Sequence, residues 1–482
     1  MQLKLLLGQI DALRIQGGLT PEIDGITRDS READARSIFV AVSGAEVDGH
    51  RFVPGIRAPV VVVDRPVQAP PGVTVVQVAD TRVALAQLSA ALYGFPSRSL
   101  PIVGITGTNG KTTVATLVDA ALSHLGWITG RIGTTGNWVA GVEHPTRFTT
   151  PEAPQLQALL AKMRDAGAQA VAMEVSSHGL AQHRVDGIAF TLGVFTNLTQ
   201  DHLDFHGTFE AYRDAKARLF RELLGPPGAH PRALVCGDDP AWEQLGVPAD
   251  RWRYGRAAGC EVRLTELVQD AGGTRAVLQT PDGPLPLRSD LVGPHNALNL
   301  AAAWSILRCL GIDAVEAIEA VGSVQGVPGR LERIPDPGGR LVVVDFAHSE
   351  DALQNVLEGL RPLTAGRLWV VFGCGGDRDP GKRPRMGAVA TGLADRVVIT
   401  SDNPRSEDPL AIIEAIRAGV TDGARIEIEP DRAAAIALAL HGARPGDTVL
   451  VAGKGHETYQ EIAGVRHPFD DRQIVRAVLE EP

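Results

Sequence analysis

Apolar residues in this chain follow two alternating rhythms: short unbroken runs, and longer stretches with an apolar position every three or four residues. Unbroken runs suit strands buried on both faces, and the three-to-four spacing suits helices with one buried stripe. Their alternation predicts α/β architecture with mostly parallel sheets. The runs fall in three groups. Ser-Ile-Phe-Val-Ala-Val at 37–42 and Pro-Val-Val-Val-Val at 59–63 lie near the N-terminus. Leu-Pro-Ile-Val-Gly-Ile at 100–105, Ala-Val-Ala-Met-Glu at 170–174 and Thr-Leu-Gly-Val-Phe-Thr at 191–196 form a middle group. A third group begins at Leu341, Leu368, Arg396 and Thr448. Helical spacing marks residues 114–125 (Val114, Leu117, Val118, Ala121, Leu122, Leu125), 296–310, 351–360 and 410–420. Gly/Pro-rich stretches at 93–100 and 326–330 punctuate the pattern. The expected division is therefore a small α/β domain over 1–97, a central parallel-sheet domain over 98–330, and a doubly wound domain over 331–482.

The most informative turn follows the strand at 100–105. Residues 107–113 read Gly107-Thr108-Asn109-Gly110-Lys111-Thr112-Thr113 and open a helix. Backbone N–H groups of such a turn and the positive helix end cradle phosphate, Lys111 adds a point charge, and Thr112 can ligate Mg²⁺. The generic spacing wants Gly at 105, where this chain has Ile105. An ATP or GTP site is the expectation. Glu174 ends a hydrophobic strand, where a carboxylate can hold Mg²⁺, and Ser176 and His178 follow it closely. Asn-Leu-Thr-Gln-Asp-His-Leu-Asp-Phe-His at 197–206 sets His202 and two aspartates directly after another buried strand. Such clustering beside a phosphate loop points to metal or phosphate contact.

Composition narrows the class. The 482 residues carry 47 basic and 57 acidic side chains, a net charge of −10, with no basic block of the kind nucleic acid demands. No apolar run approaches a membrane span, and the N-terminus lacks a signal-peptide pattern. Cys236, Cys260, Cys309 and Cys374 are scattered without CxxC pairing, which suits a reducing cytoplasm.

Taken together, the motifs at 104–113, 174–179 and 197–206, Gly-Pro-His-Asn-Ala-Leu-Asn at 293–299, Gly-Arg-Leu-Glu at 329–332 and Val-Asp-Phe-Ala-His at 344–348 resemble the Mur ligases. Ile105 is the usual spacing in that family. The resemblance implies a three-domain ATP-dependent ligase that joins an amino acid to a UDP-N-acetylmuramoyl precursor of peptidoglycan. Later motifs, Phe-Gly-Cys-Gly-Gly-Asp-Arg-Asp at 372–379, Asp-Asn-Pro-Arg at 402–405 and Gly-Lys-Gly-His-Glu at 453–457, resemble the class adding the third peptide residue. In that class Asp-Asn-Pro-Arg accompanies meso-2,6-diaminopimelate, joined through an acyl phosphate to the D-Glu γ-carboxylate of UDP-N-acetylmuramoyl-L-Ala-D-Glu.

Further roles follow from the resemblance alone. It implies ATP contacts from residues 107–113 and from Asn296, Arg330 and Asp345. It implies UDP-precursor contacts from Arg28, Ser30, Thr149, Thr150, Ser176, Gln182 and Arg184, with residues 45–47 near uridine. It implies diaminopimelate contacts from Arg383, Asp402, Asn403, Pro404, Arg405, Gly453 and Glu457. Lys216 matches a lysine that the family carbamylates with CO₂; composition alone favours an exposed helical lysine there. Lys111, Lys216, Glu174 and His202 become the catalytic set, and Thr112, Glu174, His202 and carbamylated Lys216 the Mg²⁺ set. Phe346, Ser349 and Glu350 depart from the family's more usual residues. A cytoplasmic monomer without nucleic-acid partners is expected. The alternatives are a lysine-adding ligase, a folylpolyglutamate-type ligase and a non-catalytic nucleotide-binding protein.

Overall fold

The computed structural model describes residues 1–44, 47–228, 230–270, 272–421 and 423–480. Its backbone contacts define two compact units, one of Met1–Arg263 with Ala301–Ala320 and one of Leu264–Leu300 with Val321–Pro482.

The first unit holds two sheets. Five strands near the N-terminus run in the order Ala12–Gln16, Thr74–Val78, Val60–Val63, Ser37–Val40, Gly25–Thr27, and only the first pair is antiparallel. Val60–Val63 and Ser37–Val40 are buried throughout, because Leu3, Leu6, Leu85 and Leu88 pack on one face and Val53, Ile56 and Ala58 on the other. Asp80 caps the helix Thr81–Leu92 by accepting from the Arg82 and Val83 N–H groups.

The second sheet of this unit carries the phosphate loop. Six parallel strands run Arg251–Gly255, Ala233–Cys236, Leu192–Phe195, Ile102–Thr106, Ala170–Glu174, Thr129–Gly133. A hairpin of Gly136–Val139 and Val142–His144 extends it antiparallel. The apolar pattern did not give that hairpin, since Val142 and Glu143 are exposed. Register places Glu174 opposite Ile105 and Phe195 opposite Thr106. Carboxyl ends of three strands therefore converge on the turn at 107–110, where open parallel sheets bind ligands.

In the second unit, Gly273–Thr280 and Gly283–Ser289 form an antiparallel pair. The C-terminal sheet runs Glu332–Ile334, Leu341–Asp345, Thr448–Ala452, Leu368–Phe372, Arg396–Ile399, Ile426–Ile428, antiparallel only at its first pair. Helices Glu350–Leu360, Lys382–Leu393 and Pro409–Arg417 bury Leu353, Leu357, Met386, Ile412 and Ile416 on one face. Helices Arg432–Gly442 and Asp471–Glu480 bury Ile436, Leu440 and Val475 on the other. The sheet is doubly wound, as the alternating pattern predicts.

Candidate functional site

Ile105 is a fully buried strand residue, and the turn needs its glycine two residues later. Gly107 has φ +151°, and a Cβ there would lie 1.9 Å from Thr196 Oγ1. Gly110, at φ +86°, starts the helix Lys111–His124. The departure at Ile105 thus moves the turn along the chain without removing it. Asn197 fixes the loop: its carbonyl accepts from Thr108 N–H at 2.8 Å, and its Oδ1 accepts from Asn109 N–H at 2.8 Å. Thr108 Oγ1 donates to Thr199 O at 3.0 Å and lies 3.0 Å from the Tyr212 hydroxyl.

Two ammonium groups bracket this loop. Lys111 Nζ donates to Gly107 O at 2.9 Å and Thr108 O at 2.7 Å, and Lys216 Nζ donates to Gly107 O at 2.8 Å. Lys216 is fully buried, contrary to the exposed position composition favours, because Phe209–Arg221 turns Tyr212, Ala215, Lys216, Leu219 and Phe220 inward. Burial and then the neighbouring Lys111 charge hold its pKa well below that of an ordinary lysine. The neutral amine so favoured is the form that reacts with CO₂, so the residue fits carbamylation.

On the other side of the loop, Thr112 Oγ1 donates to Glu174 Oε2 at 2.8 Å. Glu174 also accepts from Thr134 N–H at 2.8 Å and Thr134 Oγ1 at 3.2 Å. Gly133 must lack a side chain, since its Cβ would lie 2.1 Å from Glu174 Oε1. These are hard oxygen ligands held beside a phosphate cradle, a donor set that fits Mg²⁺. Among the described residues no group of three or more His, Cys, Asp or Glu is arranged to hold a metal ion. A complete coordination shell therefore needs oxygens beyond those side chains, from Thr112 and phosphate. His202, at φ +53°, feels both the Lys111 and Lys216 charges, and its ring centroid lies 4.8 Å from that of His178. Burial, followed by His202 and His206, lowers the His178 pKa to about 4. Sequence reasoning missed Thr134 and Tyr212, neither of which sits in a recognisable motif.

The precursor-binding candidates gather in the same unit. Glu152 Oε1 lies 3.0 Å from Arg28 Nη2 and 3.1 Å from Arg184 Nη2. Arg184 also donates to Thr150 O at 2.8 Å and to Gln182 Oε1 at 2.7 Å. Thr150 Oγ1 donates to Glu174 O at 2.9 Å and accepts from Ser176 N–H at 3.0 Å, and Thr149 Oγ1 is 3.0 Å from Thr134 Oγ1. This chain of contacts ties the precursor candidates to the carboxylate beside the phosphate loop. Arg28, Ser30, Val47, Phe148 and Glu152 line a cavity of about 970 Å³. Ala45 and Glu46 lie outside the described residues.

The amino-acid candidates cluster at the carboxyl edge of the C-terminal sheet. Arg383 is 5% exposed; its Nη2 donates to Glu407 Oε1 at 2.8 Å, while its Nε is buried without a hydrogen-bond partner among the described residues. That contact holds the Glu407 carboxyl below its usual pKa range. Guanidinium groups such as this one pair bidentately with carboxylates. Arg405 adopts φ +52°, donates its N–H to Glu461 O at 3.0 Å, and donates Nη1 to Gly376 O at 2.6 Å. Asn403 gives Nδ2 to Glu457 Oε2 at 2.8 Å. Gly453, at φ +117°, admits Asp402, whose Oδ2 would sit 2.8 Å from an added Cβ. Pro404 is buried behind Arg405, with its carbonyl 1.9 Å from where a Gly376 Cβ would be. Sequence reasoning missed Glu407, which carries no motif, and the fully buried Arg432, which pairs with Asp471 at 2.7 Å and donates to Ser401 O and Ala452 O.

The nucleotide-contact candidates of this unit are also ordered. Asp345 accepts from Leu331 N–H at 2.7 Å and Ala347 N–H at 2.8 Å, while burial raises its pKa. Arg330 stacks over Phe346 at 4.7 Å, so the departure from the family's usual residue still leaves an aromatic platform. Asn296 Nδ2 donates to Val292 O at 2.9 Å.

Residues 105–307 match the family model of the Mur ligase middle domain, and residues 329–455 that of the Mur ligase, glutamate ligase domain. The UDP-N-acetylmuramoyl-L-alanyl-D-glutamate–2,6-diaminopimelate ligase of Geobacter metallireducens is 42% identical, over 100% of this chain and 99% of that protein. A solved structure of a ligase of the same name has TM-score 0.72 at 33% identity, covering 100% of this chain and 99% of the other. Mycobacterium tuberculosis folylpolyglutamate synthase, complexed with ADP and AMPPCP, shares the fold at TM-score 0.63 and 22% identity, over 83% of this chain and 95% of that one. No helix of the described residues is long and apolar enough to cross a membrane.

Proposed function

The chain belongs to the Mur ligase family, and from that premise we propose that it joins meso-2,6-diaminopimelate to UDP-N-acetylmuramoyl-L-Ala-D-Glu at the expense of ATP. The γ-carboxylate of D-Glu attacks the γ-phosphorus of ATP, releasing ADP and leaving an acyl phosphate. The diaminopimelate amine then attacks the acyl carbon, and inorganic phosphate departs with the bonding pair.

The backbone of 107–113 and Lys111 hold the phosphates and offset their charge. Thr112 and Glu174 would hold Mg²⁺, joined by His202 and Lys216 as its carbamate, and the ion supplies neutralisation of phosphate charge. Arg28, Ser30, Thr149, Thr150, Ser176, Gln182 and Arg184 orient the precursor. Asn296, Arg330 and Asp345 serve the nucleotide. Arg383 and Arg405 bind the distal carboxylate of diaminopimelate, and Asp402 and Glu457 attract its ammonium. In this reading residues 1–97, 98–330 and 331–482 serve the uridine moiety, ATP and the amino acid respectively. The enzyme works as a cytoplasmic monomer.

The observation that carries the reading is the cluster at the carboxyl edge of the C-terminal sheet, where Asn403 donates to Glu457 and Arg405 to Gly376 O beside the buried Arg383. A folylpolyglutamate-type ligase or a nucleotide-binding protein gives no reason for the Asp-Asn-Pro-Arg motif at 402–405. Phosphate release that requires ATP, the UDP-precursor and diaminopimelate together is the expected result. Release without the UDP-precursor, or none with all three, would refute it.

A further inference from the structure

Lys454 follows Gly453 at the carboxyl end of the strand Thr448–Ala452, and its side chain is completely buried. Its Nζ lies 3.0 Å from Asn403 Oδ1, 3.3 Å from Glu457 Oε2 and 3.7 Å from Asp402 Oδ1, with the Tyr459 ring centroid at 5.6 Å. One ammonium thus lies within 3.7 Å of both carboxylates proposed to attract the distal ammonium, and of Asn403 between them. Asn403 closes the cluster. Its Oδ1 accepts from both Lys454 Nζ and Glu461 N–H, the latter at 2.9 Å, and its Nδ2 donates to Glu457 Oε2 at 2.8 Å. The Asn403 amide is therefore a strut between Lys454, Glu457 and the 459–462 strand.

Charge counting gives the cluster a function. Asp402 and Glu457 contribute −2 and Lys454 +1, leaving −1. The neighbouring Arg432 cancels against Asp471, at 2.7 Å. Arg405 brings the site to neutrality, Arg383 being offset by Glu407, and a neutral site matches an ammonium that carries its own carboxylate. Without Lys454 the same groups leave −1, which matches the bare ammonium that lysine presents. Glu457 Oε1 makes no hydrogen bond among the described residues, so Lys454 and Asn403 fix one carboxylate oxygen and leave the other to face a ligand.

We propose that Lys454 is a specificity-determining positioning residue, which holds Glu457, Asp402 and Asn403 in place and sets the pocket charge to favour a zwitterionic distal centre over a bare ammonium. The proposal rests on the diaminopimelate reading above. It goes beyond that reading by assigning discrimination to a residue that need not touch the substrate.

The test uses the full-length enzyme as Lys454→Met, Lys454→Gln and Lys454→Arg. Lys454→Gln keeps a hydrogen-bond donor toward Asn403 and guards against loss of folding, which thermal unfolding checks. The expected result is a KM for diaminopimelate raised about tenfold or more in the Met and Gln variants, and a narrowed preference for diaminopimelate over lysine. KM for ATP and for the UDP-precursor, and kcat at saturation, should stay within about threefold, and Lys454→Arg should recover part of the loss. Folded variants with unchanged KM for the amino acid would overturn the proposal. So would a rise of all three KM values together with a fall in kcat, which marks a structural role only. The wild-type amino-acid preference judges the diaminopimelate reading separately: if another amino acid is preferred, that reading falls, and the KM for that amino acid still decides the role of Lys454.

Discussion

Thr112 and Glu174 stand 62 positions apart in sequence, yet the hydroxyl of one donates to the carboxylate of the other across 2.8 Å. Parallel pairing of Ile102–Thr106 with Ala170–Glu174 brings this about, since it delivers the carboxylate to the first turn of the phosphate-loop helix. Glu174→Gln keeps the shape and removes the charge. Steady-state assays should show kcat lowered by about 10²–10³-fold, the cost of losing one electrostatic partner in such a site. Affinity for the UDP-precursor should change far less than kcat, because Thr150 contacts the Glu174 backbone carbonyl and Thr149 reaches the carboxylate only through Thr134.

Gly107→Ala tests the turn itself. An added methyl would sit 1.9 Å from Thr196 Oγ1 on backbone at φ +151°, so the loop must distort. The expected cost is about 1–3 kcal/mol of local strain. Equilibrium binding of ATP should weaken by at least about tenfold, while far-ultraviolet circular dichroism stays that of the parent.

Lys216 donates to Gly107 O, and its complete burial, followed by the charge of Lys111, favours its neutral amine. Supplying ¹³C-bicarbonate should give a carbamate resonance in the wild type that Lys216→Ala lacks. Activity should fall on exhaustive CO₂ removal and return on its restoration. Lys216→Ala should lose about 10²-fold or more in kcat.

Arg405→Ala should raise KM for diaminopimelate by about 10–100-fold, the range for losing a charge-assisted contact of about 1.5–3 kcal/mol. KM for ATP should not move. Arg383→Ala should act in the same direction, and it should also release the Glu407 carboxyl toward its ordinary pKa, since the Arg383 contact is the main cause of the depression.

Some of this architecture is legible in sequence because buried parallel strands are written as unbroken apolar runs. The strands at Val60–Val63, Ile102–Thr106 and Leu341–Asp345 coincide with such runs, and the phosphate loop sits where its glycines and flanking elements predict. The hairpin at 136–144 is not legible, because its second strand lies at the sheet edge with Val142 and Glu143 exposed. The burial of Lys216 is not legible either. A lysine within Glu-Ala-Tyr-Arg-Asp-Ala-Lys reads as a solvated helix face, and only tertiary packing turns it inward. At the amino-acid site, the motif at 402–405 shows which residues gather but not how they divide the work. Asn403 spends its amide on Lys454, Glu457 and Glu461, all more than 50 positions away in sequence.

In the proposed function the C-terminal site reads a distal amino-carboxylate. Its most direct test is a competition in which the enzyme, ATP and UDP-N-acetylmuramoyl-L-Ala-D-Glu meet equimolar meso-2,6-diaminopimelate and L-lysine, with the ligated products identified by mass spectrometry. The account predicts a product bearing diaminopimelate in large excess. A product bearing lysine in equal or greater amount would contradict it.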